Sequence, residues 1–190
     1  MKKQYFDDLT FERKDFSTNE IISGEYNNCT FIHCDFSNID LRDFCFEECQ
    51  FEDCDFSNAK TNNTSFQNAR FKNCKLLGIH FDECNTFLLS FYFDNCQLNL
   101  ASFYKMKIKN MRFKNCILHE VDFSNSNLSS AVFDNCDLSG AIFSSTNLEK
   151  ADFRTSFNFS IDPEQNRINR AKFSKETIAG LLDKYNIFIE

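Results

Sequence analysis

The sequence predicts an all-β solenoid, in which a short extended unit recurs around the four sides of a coil. Two observations support this prediction. A large apolar residue recurs every five positions, and several segments recur every 20 positions. A period of five fits neither an α-helix, at 3.6 residues, nor a flat strand, at 2. We therefore expect four five-residue sides per turn, with the recurring apolar residue pointing inward on each side.

The five-residue period occurs in two registers. The first runs from Phe6 to Phe81, and Thr61 is its one member that is not apolar. The second runs from Leu88 to Phe153, and all of its members are apolar. The spacing from Phe81 to Leu88 implies two extra residues within the segment DECNTF (82–87). We expect a small adjustment of register there rather than a contact site.

The longer period is visible in three related segments. FDNCQL, FKNCIL and FDNCDL begin at Phe93, Phe113 and Phe133, one 20-position period apart. Turns stacked as parallel strands rise by about 4.8 Å each, so roughly seven or eight turns would make a rod about 35 Å long. The repeat stops after Phe153. We therefore divide the chain into a coil at residues 1–156 and a connection, helix and tail at residues 157–190.

The cysteines follow the same repeat. Of the ten, eight lie two positions before a central apolar residue, where the repeat places small residues. These eight are Cys29, Cys34, Cys49, Cys54, Cys74, Cys96, Cys116 and Cys136. Buried free cysteine behaves as a small hydrophobe, so this spacing predicts an inward column of thiols. Zinc is the alternative, but the chain has no CxxC pair, and we expect no metal and no cofactor.

The composition argues against an enzyme, a membrane protein and an exported protein. His33, His80 and His119 are far apart in the repeat, and a phenylalanine-filled interior leaves no substrate pocket. No apolar run is long enough to span a bilayer, and the start, MKKQYFDDLTF, carries charges where a signal peptide needs apolar residues. Stacked thiols without disulfides favour a reducing compartment, so we expect a cytoplasmic protein.

Acidic residues cluster between positions 35 and 55, where Arg42 is the one base. This stretch has a net charge of −7, equal to that of the whole protein, and its acids all occupy outward positions of the repeat. It predicts either a solvated rim that keeps the coil soluble or an anionic face that a DNA-binding protein accepts in place of DNA. The candidate partner-binding residues are Asp35, Asp40, Asp43, Glu47, Glu48, Glu52, Asp53 and Asp55.

A smaller basic patch follows the register shift. It consists of Tyr104, Lys105, Lys107, Lys109, Arg112 and Lys114. Five bases on an acidic chain are a poor electrostatic footprint for nucleic acid, and we expect no direct binding of DNA or RNA.

The C-terminal segment predicts a helix. Ser174 is a candidate N-cap for a helix through about Tyr185, and a short extended tail follows from Asn186. An apolar face at helical spacing could cap the open end of the coil or join two copies in a dimer, and we favour the dimer. The candidate dimerisation residues are Ile178, Leu181, Leu182, Tyr185 and Phe188.

The repeat over residues 6–153 resembles the pentapeptide-repeat family, whose motif is approximately A-(D/N)-L-x-x. The resemblance implies a right-handed quadrilateral β-helix. The tail, with IDPEQN after the last coil and KFS before the predicted helix, resembles that of the Qnr-type quinolone-resistance and microcin-immunity proteins. Those relatives imply a homodimer joined through the C-terminal element. They also imply binding to DNA gyrase, and often topoisomerase IV, with relief of poisoning by quinolones or gyrase-directed toxins.

Two departures from the Qnr type keep a second function open. The Qnr type has larger loops projecting from the rod, whereas this chain has two extra residues, and its mid-rod basic patch fits poorly with a DNA-like surface. The sequence thus predicts a gyrase-protection protein that acts through its acidic surface. The alternative is a structural or adaptor rod that binds another protein.

Overall fold

Each five-residue unit of the chain forms one short extended segment and one corner. The computed structural model describes residues 4–188, and in it the corner residue adopts a left-handed backbone, as at Asn63 (φ 55°) and Asn125 (φ 59°). Asparagine accepts this conformation more readily than other residues with a side chain, because its short polar side chain bonds locally. A corner after every fifth residue turns the chain through four sides, as the period predicts.

Two sides of the coil are parallel sheets. The first side carries β1 (Gln4–Asp7), β3 (Gly24–Asn27), β5 (Cys45–Glu47) and β7 (Ser65–Gln67). The second side carries β2 (Thr10–Glu12), β4 (Thr30–Ile32), β6 (Gln50–Glu52), β8 (Ala69–Lys72), β9 (Phe91–Asp94), β10 (Arg112–Lys114) and β11 (Val132–Asp134). Every neighbouring pair is parallel, because each strand pairs with the equivalent strand one turn away.

The third and fourth sides consist of isolated parallel bridges. The third side includes Asp35↔Asp55 and the fourth includes Asp40↔Lys60. The partners are again one turn apart, so all four sides share one stacking register. The predicted all-β solenoid is confirmed as an all-parallel coil.

The interior is a set of stacked columns of apolar side chains. On the second side the rings from Phe11 to Phe173 stack on one another with centroids 4.7 to 5.6 Å apart. Phe31, Phe113 and Phe153 are each 0% exposed. Thr61, the one polar member of the first register, is also buried, and its hydroxyl donates to the carbonyl of His80 at 2.8 Å. The inward column is therefore filled even where the sequence departs from apolar residues.

The register shift lies later than predicted, and Leu88 is not an inward residue. Ser65 still bridges to Asn85 at the regular spacing, whereas Ala69 pairs with Phe91, two positions further along than the period requires. The extra residues therefore belong to the segment 86–90. Leu88 is 65% exposed, and its backbone is left-handed (φ 53°). The prediction was wrong because an apolar residue at the right spacing does not reveal on which side of it the chain bulges.

Phe91 fills the space that this bulge leaves in the core. It occupies a position that holds alanine or cysteine in most other turns, yet it is 7% exposed. Its ring centroid lies 5.6 Å from that of Phe66 and 4.9 Å from that of Phe81. The loop at 86–90 and the large side chain of Phe91 therefore form one compensating change. A 3₁₀ turn at Phe81–Glu83 precedes the loop.

The coil continues beyond Phe153, where the sequence repeat was predicted to stop. Bridges Asn147↔Arg167 and Asp152↔Lys172 add a further turn. Asn166 is buried at the end of this turn, where its amide oxygen accepts from the N–H of Thr146 and its amide nitrogen donates to the carbonyl of Phe143, both at 2.9 Å. The coil thus extends into the segment 157–190, and polar residues that break the pattern are accommodated by hydrogen bonds.

The predicted helix from Ser174 to Tyr185 is instead two short 3₁₀ turns, Ile178–Leu181 and Asp183–Tyr185. The Ser174 hydroxyl does accept from the N–H of Thr177, at 3.2 Å, as a capping residue would. Gly180 lies against Phe159, whose carbonyl oxygen would be 2.1 Å from an added Cβ. The Gly180 carbonyl accepts from Ile161 at 2.9 Å. Glycine also disfavours an α-helix by about 1 kcal/mol. The tail beyond residue 188 lies outside the described residues.

Candidate protein-interaction surface

The eight predicted acidic residues encircle the coil. Glu47 lies on the first side, Glu52 on the second, Asp35 and Asp55 on the third, and Asp40 on the fourth. The other three occupy the left-handed corners between sides; they are Asp43, Glu48 and Asp53. All eight are partly or fully exposed. The structure therefore arranges them as a belt around the rod rather than as one face.

Basic residues of the same and the next turn compensate much of this belt on three sides. Arg42 lies 2.5 Å from Asp40, and its guanidinium hydrogen bonds lower the pKa of that carboxyl. Lys72 lies 2.5 Å from Glu52. A long ion pair of 3.8 Å joins Lys75 and Asp55 on the third side. Such exposed pairs contribute little stability, but they reduce the negative charge that a partner would meet.

The first side differs, because Glu47 and Glu48 have polar but uncharged neighbours in the next turn. The residues that follow them one turn later are Gln67 and Asn68, and Asn68 donates to Glu48 at 2.5 Å. Three further carboxylates share this side, those of Asp7, Asp8 and Glu25. We call these five carboxylates, of Asp7, Asp8, Glu25, Glu47 and Glu48, the acidic half of the first side.

Sequence reasoning missed Asp7, Asp8 and Glu25. They lie outside the dense stretch from 35 to 55, and acidic density along the chain does not reveal them. The signal that would have found them is the 20-residue period, which places Asp7, Asn27 and Glu47 in one column. Outward charges in a coil have to be compared by column rather than by distance along the chain.

The predicted basic patch is divided among three sides. Tyr104 and Lys105 follow the bridge residue Ser102 on the fourth side, and Arg112 and Lys114 belong to β10 on the second. Lys114 pairs with Asp94 at 3.1 Å. Lys107 and Lys109 lie on the first side. The structure does not bring these bases together into one nucleic-acid surface.

The loop at residues 86–90 adds an apolar feature to the first side. Phe87 is 67% exposed and Leu88 is nearly as exposed, whereas Leu89 packs against the core. The Phe87 N–H donates to the side chain of Asn85 at 3.0 Å, which holds the start of the loop. The adjacent apolar side chains of Phe87 and Leu88 are thus exposed to solvent midway along the rod.

The predicted dimerisation residues divide into two groups. Leu181 packs against the core and serves as part of the end cap. Ile178, Leu182, Tyr185 and Phe188 are exposed, and Phe188 is the most exposed of them at 99%. The Tyr185 hydroxyl donates to Glu164 at 3.0 Å, so part of this surface is tied to the turn at residues 162–165.

The eight cysteines that follow the repeat point inward as predicted, but in two columns: Cys29 and Cys49 precede strands of the second side, and the other six precede the third side. The thiols of Cys49, Cys74 and Cys136 each donate to the carbonyl of a residue one turn earlier, at 3.4 Å. Burial raises the pKa of Cys49 and of Cys84 to about 12. The ten cysteines, which all lie in the described part of the chain, form no disulfide. Among residues 4–188 no three or more His, Cys, Asp or Glu side chains converge as metal ligands would.

Within the described residues, no helix has the length and apolar character needed to span a bilayer.

Five-residue units, wound into a four-sided parallel coil around stacked rings, define this protein as a β-solenoid of pentapeptide repeats. The profile of the pentapeptide repeat region matches residues 24–92 and 88–158, which together exceed half of the chain. The chain therefore belongs to the pentapeptide-repeat family. Among curated proteins, no sequence matches it.

Two solved structures share the fold. One is a trypsin-treated variant of QnrB1, a plasmid-mediated fluoroquinolone resistance protein; it is 21% identical, with a TM-score of 0.56 over 98% of this chain and 92% of that one. The other is HetL, a pentapeptide repeat protein involved in heterocyst differentiation regulation in the cyanobacterium Nostoc sp. strain PCC 7120. It is 15% identical, with a TM-score of 0.62 over 90% of this chain and 86% of that one. At these identities the similarity concerns the fold.

Proposed function

We propose that this protein is a cytoplasmic, non-enzymatic protection factor that binds DNA gyrase, and topoisomerase IV as a second target, and relieves poisoning by quinolones or a gyrase-directed toxin. The observation that carries the proposal is the acidic half of the first side. There, Glu47 and Glu48 lie beside uncharged neighbours of the next turn. The Qnr-like tail of the sequence, IDPEQN followed by KFS, supports the same assignment.

The charge density of this surface suits a mimic of DNA. The layer that holds Asp7 and the layer that holds Glu47 are two turns apart, which corresponds to roughly 10 Å along the rod. Five carboxylates occupy that length on one side. Duplex DNA carries one charge per about 1.7 Å, so the same length of DNA carries about six. A protein surface that binds duplex phosphates would meet a comparable charge on this side of the rod.

The direct experiment is gyrase supercoiling at increasing protein concentration, with and without a fluoroquinolone. The proposal predicts that supercoiling is restored in the presence of the drug. Binding should weaken with added salt, because exposed charges are screened beyond about 10 Å at about 0.1 M. Absence of any effect on supercoiling, with or without drug, would contradict the proposal.

Two matched variants test the acidic half. Glu47→Gln with Glu48→Gln removes two carboxylates from the first side and should weaken protection by at least about tenfold. Glu52→Gln with Asp55→Asn removes two carboxylates that already have lysine partners, and should change protection far less. Equal effects of the two variants would argue against a specific role for the first side.

The proposed homodimer uses the exposed part of the C-terminal surface. Leu182→Asp with Phe188→Asp places two charges there while leaving Leu181 in the cap, and should yield a monomer by light scattering. Ile22→Asp with Ile142→Asp is the control, since both residues are exposed elsewhere on the rod. A dimer that persists in the first variant would place the interface elsewhere.

An adaptor rod that binds another protein is the second candidate. It is favoured by the ion pairs that compensate the acidic belt on three sides and by the small size of the loop at 86–90. This function predicts no effect on either topoisomerase. A partner recovered through the first side, and lost in the Glu47→Gln, Glu48→Gln variant, would support it.

A further inference from the structure

The first side of the coil continues beyond the loop at residues 86–90. The other three sides pass this level without a break, through the Phe71–Phe93 stack and the bridges Lys75↔Gln97 and His80↔Ser102. The ladder that runs from Lys107 through Asn127 and Asn147 to Arg167 therefore completes the first side. One surface of the rod thus runs from β1 to the last turn, with the loop at its middle.

This surface is divided by charge. Its first four turns, from Gln4 to Asn68, carry five acids and no base among the described residues, whereas the turns after the loop carry five bases and one acid, Glu149. The bases, which we call the basic half, are Lys107, Lys109, Lys150, Arg167 and Arg170. The side chains of both halves are exposed. Within the described part of the chain, Arg167 is the one member of the basic half that forms an ion pair, with Glu149 at 2.6 Å.

The apolar residues lie at the boundary between the halves. Four layers of the first side precede the loop, centred on Phe6, Tyr26, Phe46 and Phe66. Four layers follow it, at Lys107, Asn127, Asn147 and Arg167. Phe87 and Leu88 therefore occupy the middle layer, about 19 Å from either end at about 4.8 Å per layer. The sequence of properties along the surface is acidic, apolar, basic.

We propose that two copies of this protein pair side by side and antiparallel through the first side. A two-fold axis that passes through the loop layer reverses the direction of one rod relative to the other. Phe87 and Leu88 of the two copies then meet at the axis, and each acidic half faces the basic half of the other copy. A two-fold interface requires such self-complementarity of a single surface.

The opposed layers are complementary at the two ends of the surface, and elsewhere no acidic layer faces a layer of net negative charge, since Glu25 faces the layer that holds both Glu149 and Lys150. The outermost layer, with Asp7 and Asp8, faces the outermost layer of the second copy, with Arg167 and Arg170. Glu47 and Glu48 face a layer with no charge, centred on Leu128. Lys107 and Lys109 face the uncharged layer of β7. A parallel arrangement would instead place acids against acids, which is why the pairing is antiparallel.

The test is analytical ultracentrifugation of the whole chain at low and high salt. We expect a concentration-dependent association at about 50 mM salt that weakens by at least about tenfold in Kd at about 500 mM, because the opposed charges are exposed and screened. A protein that shows the same mass at every concentration at both salt levels overturns the proposal.

Charge reversal followed by mixing identifies the interface. Asp7→Lys with Asp8→Lys should abolish this association, because it places bases against Arg167 and Arg170. Arg167→Glu with Arg170→Glu should also abolish it, because it places acids against Asp7 and Asp8. Mixed together, the two variants should associate again, since the outermost layers at both ends of the mixed pair are then of opposite sign. Failure of the mixture to associate overturns the proposal.

Two controls separate this interface from general effects. Arg70→Glu with Arg112→Glu makes the same charge change on the second side and should leave the association intact. Leu88→Asn removes an apolar side chain from the centre while easing a left-handed backbone, so it should weaken association without loss of thermal stability. Association that is unchanged by Leu88→Asn and Phe87→Ser together contradicts the central contact.

The pair covers the acidic half that the proposed function assigns to gyrase, so a paired copy cannot bind gyrase through it, but the measurements themselves test the pair alone. They need no gyrase, and the C-terminal dimer makes no prediction about residues 7, 8, 167 and 170. Repeating the mixing experiment with Leu182→Asp and Phe188→Asp present in both chains removes the C-terminal contact. Recovery of association in that background supports the side-by-side pair, and its loss assigns the association to the C-terminal surface instead.

Discussion

At the residue scale, the corner between two sides determines which residues the repeat accepts. Of the 27 described residues with positive φ that are not glycine, 13 are asparagine. A left-handed backbone costs most residues about 1 to 2 kcal/mol, and asparagine less. Leucine and lysine at such corners, as at Leu100 and Lys105, therefore store a small amount of strain.

Leu100 provides a test of this strain. Its backbone φ is 62°, and its side chain is exposed. Leu100→Asn should therefore raise the free energy of unfolding by about 0.5 to 1 kcal/mol, as measured by denaturant unfolding. Leu98 is fully buried. The same substitution there should lower the free energy of unfolding by about 2 kcal/mol or more. A destabilising Leu100→Asn would show that contacts of the leucine outweigh the backbone strain.

The thiols give a second residue-scale prediction. Nine of the ten cysteines are buried, and Cys45 alone is half-exposed. Because the reagent has to reach the thiol, burial makes the core thiols inert, and the raised pKa of Cys49 and Cys84 further reduces the reactive thiolate at those two positions. Native protein should therefore react rapidly with Ellman's reagent at about one thiol, and Cys45→Ser should abolish that reaction. Rapid reaction of several thiols, or a metal that co-purifies in stoichiometric amount, would contradict the core columns.

At the element scale, the loop at 86–90 and its neighbour Phe91 act together. The loop removes one inward residue from the first side, and the Phe91 ring occupies the vacated space between Phe66 and Phe81. A local change in register is therefore accommodated within one turn, and stacking resumes with Phe93 on Phe71.

Truncation of Phe91 should expose this dependence. Phe91→Ala leaves a cavity that the adjoining turns cannot close, and should cost about 3 to 5 kcal/mol of unfolding free energy. Phe87 lies in the exposed part of the same loop. Phe87→Ala should change stability by about 0.5 kcal/mol or less. If chemical denaturation showed comparable losses of unfolding free energy for Phe91→Ala and Phe87→Ala, the exposed part of the loop would itself stabilise the coil.

Cross-turn polar contacts on the third side predict a pH dependence. Burial alone would raise the pKa of Asp137, but the His119 ring nitrogen at 2.9 Å and hydrogen bonds from Ser139 and Asn158 outweigh it and hold the pKa at about 2. A carboxyl with a lowered pKa stabilises the fold above its ordinary value, which is 3.8 for this group. That contribution disappears as the pH falls from about 4 to about 2.

Asp137→Asn should therefore reduce stability by roughly 1 to 2 kcal/mol at about pH 7 and flatten the loss of stability between about pH 4 and pH 2. Thermal unfolding across this range measures both effects. Ser139→Ala removes the hydroxyl donor of Asp137 and should give an intermediate result. An Asp137→Asn protein with an unchanged pH profile would exclude these bonds as a source of acid sensitivity.

Particular residues show how far the sequence alone could predict this structure. The five-residue period predicted the coil and its core because each unit buries its own central side chain, from Phe31 to Phe153. It failed at Leu88 because apolar character alone does not fix register. It failed at the C-terminus because Gly180 is held by Phe159, a contact between distant residues. The acidic surface was predicted from the number of acidic residues along a stretch of chain. In the coil, residues close in sequence such as Glu47 and Glu52 lie on different sides.

At the scale of the whole molecule, a coil is stabilised by contacts between neighbouring turns, and its ends have one neighbour each. The C-terminal end is covered by residues of the tail, including Leu181. At the N-terminal end, Phe6, Phe11 and Phe16 are only partly buried. The free energy of local opening should therefore be lower in the N-terminal turn of the coil than in the C-terminal turn.

Hydrogen exchange measures this gradient. We expect amides of residues 4–16 to exchange first and those between Phe31 and Phe153 to exchange last, because local opening breaks fewer contacts where the inward side chains are only partly buried. Leu181→Ala should accelerate exchange in the last turn of the coil and leave the first turn unchanged. Uniform exchange along the chain would indicate a single cooperative unit without fraying.

The equal spacing of the turns also bears on how such a chain can change over evolutionary time. A tandem duplication or deletion of one turn's codons between Phe93 and Phe133 preserves every ladder, so rods of different length are all able to fold. The same event shifts all later charges by one layer, about 4.8 Å, relative to the loop at 86–90. Length is then free to vary as far as folding is concerned, while the surface pattern of the first side determines which lengths selection retains.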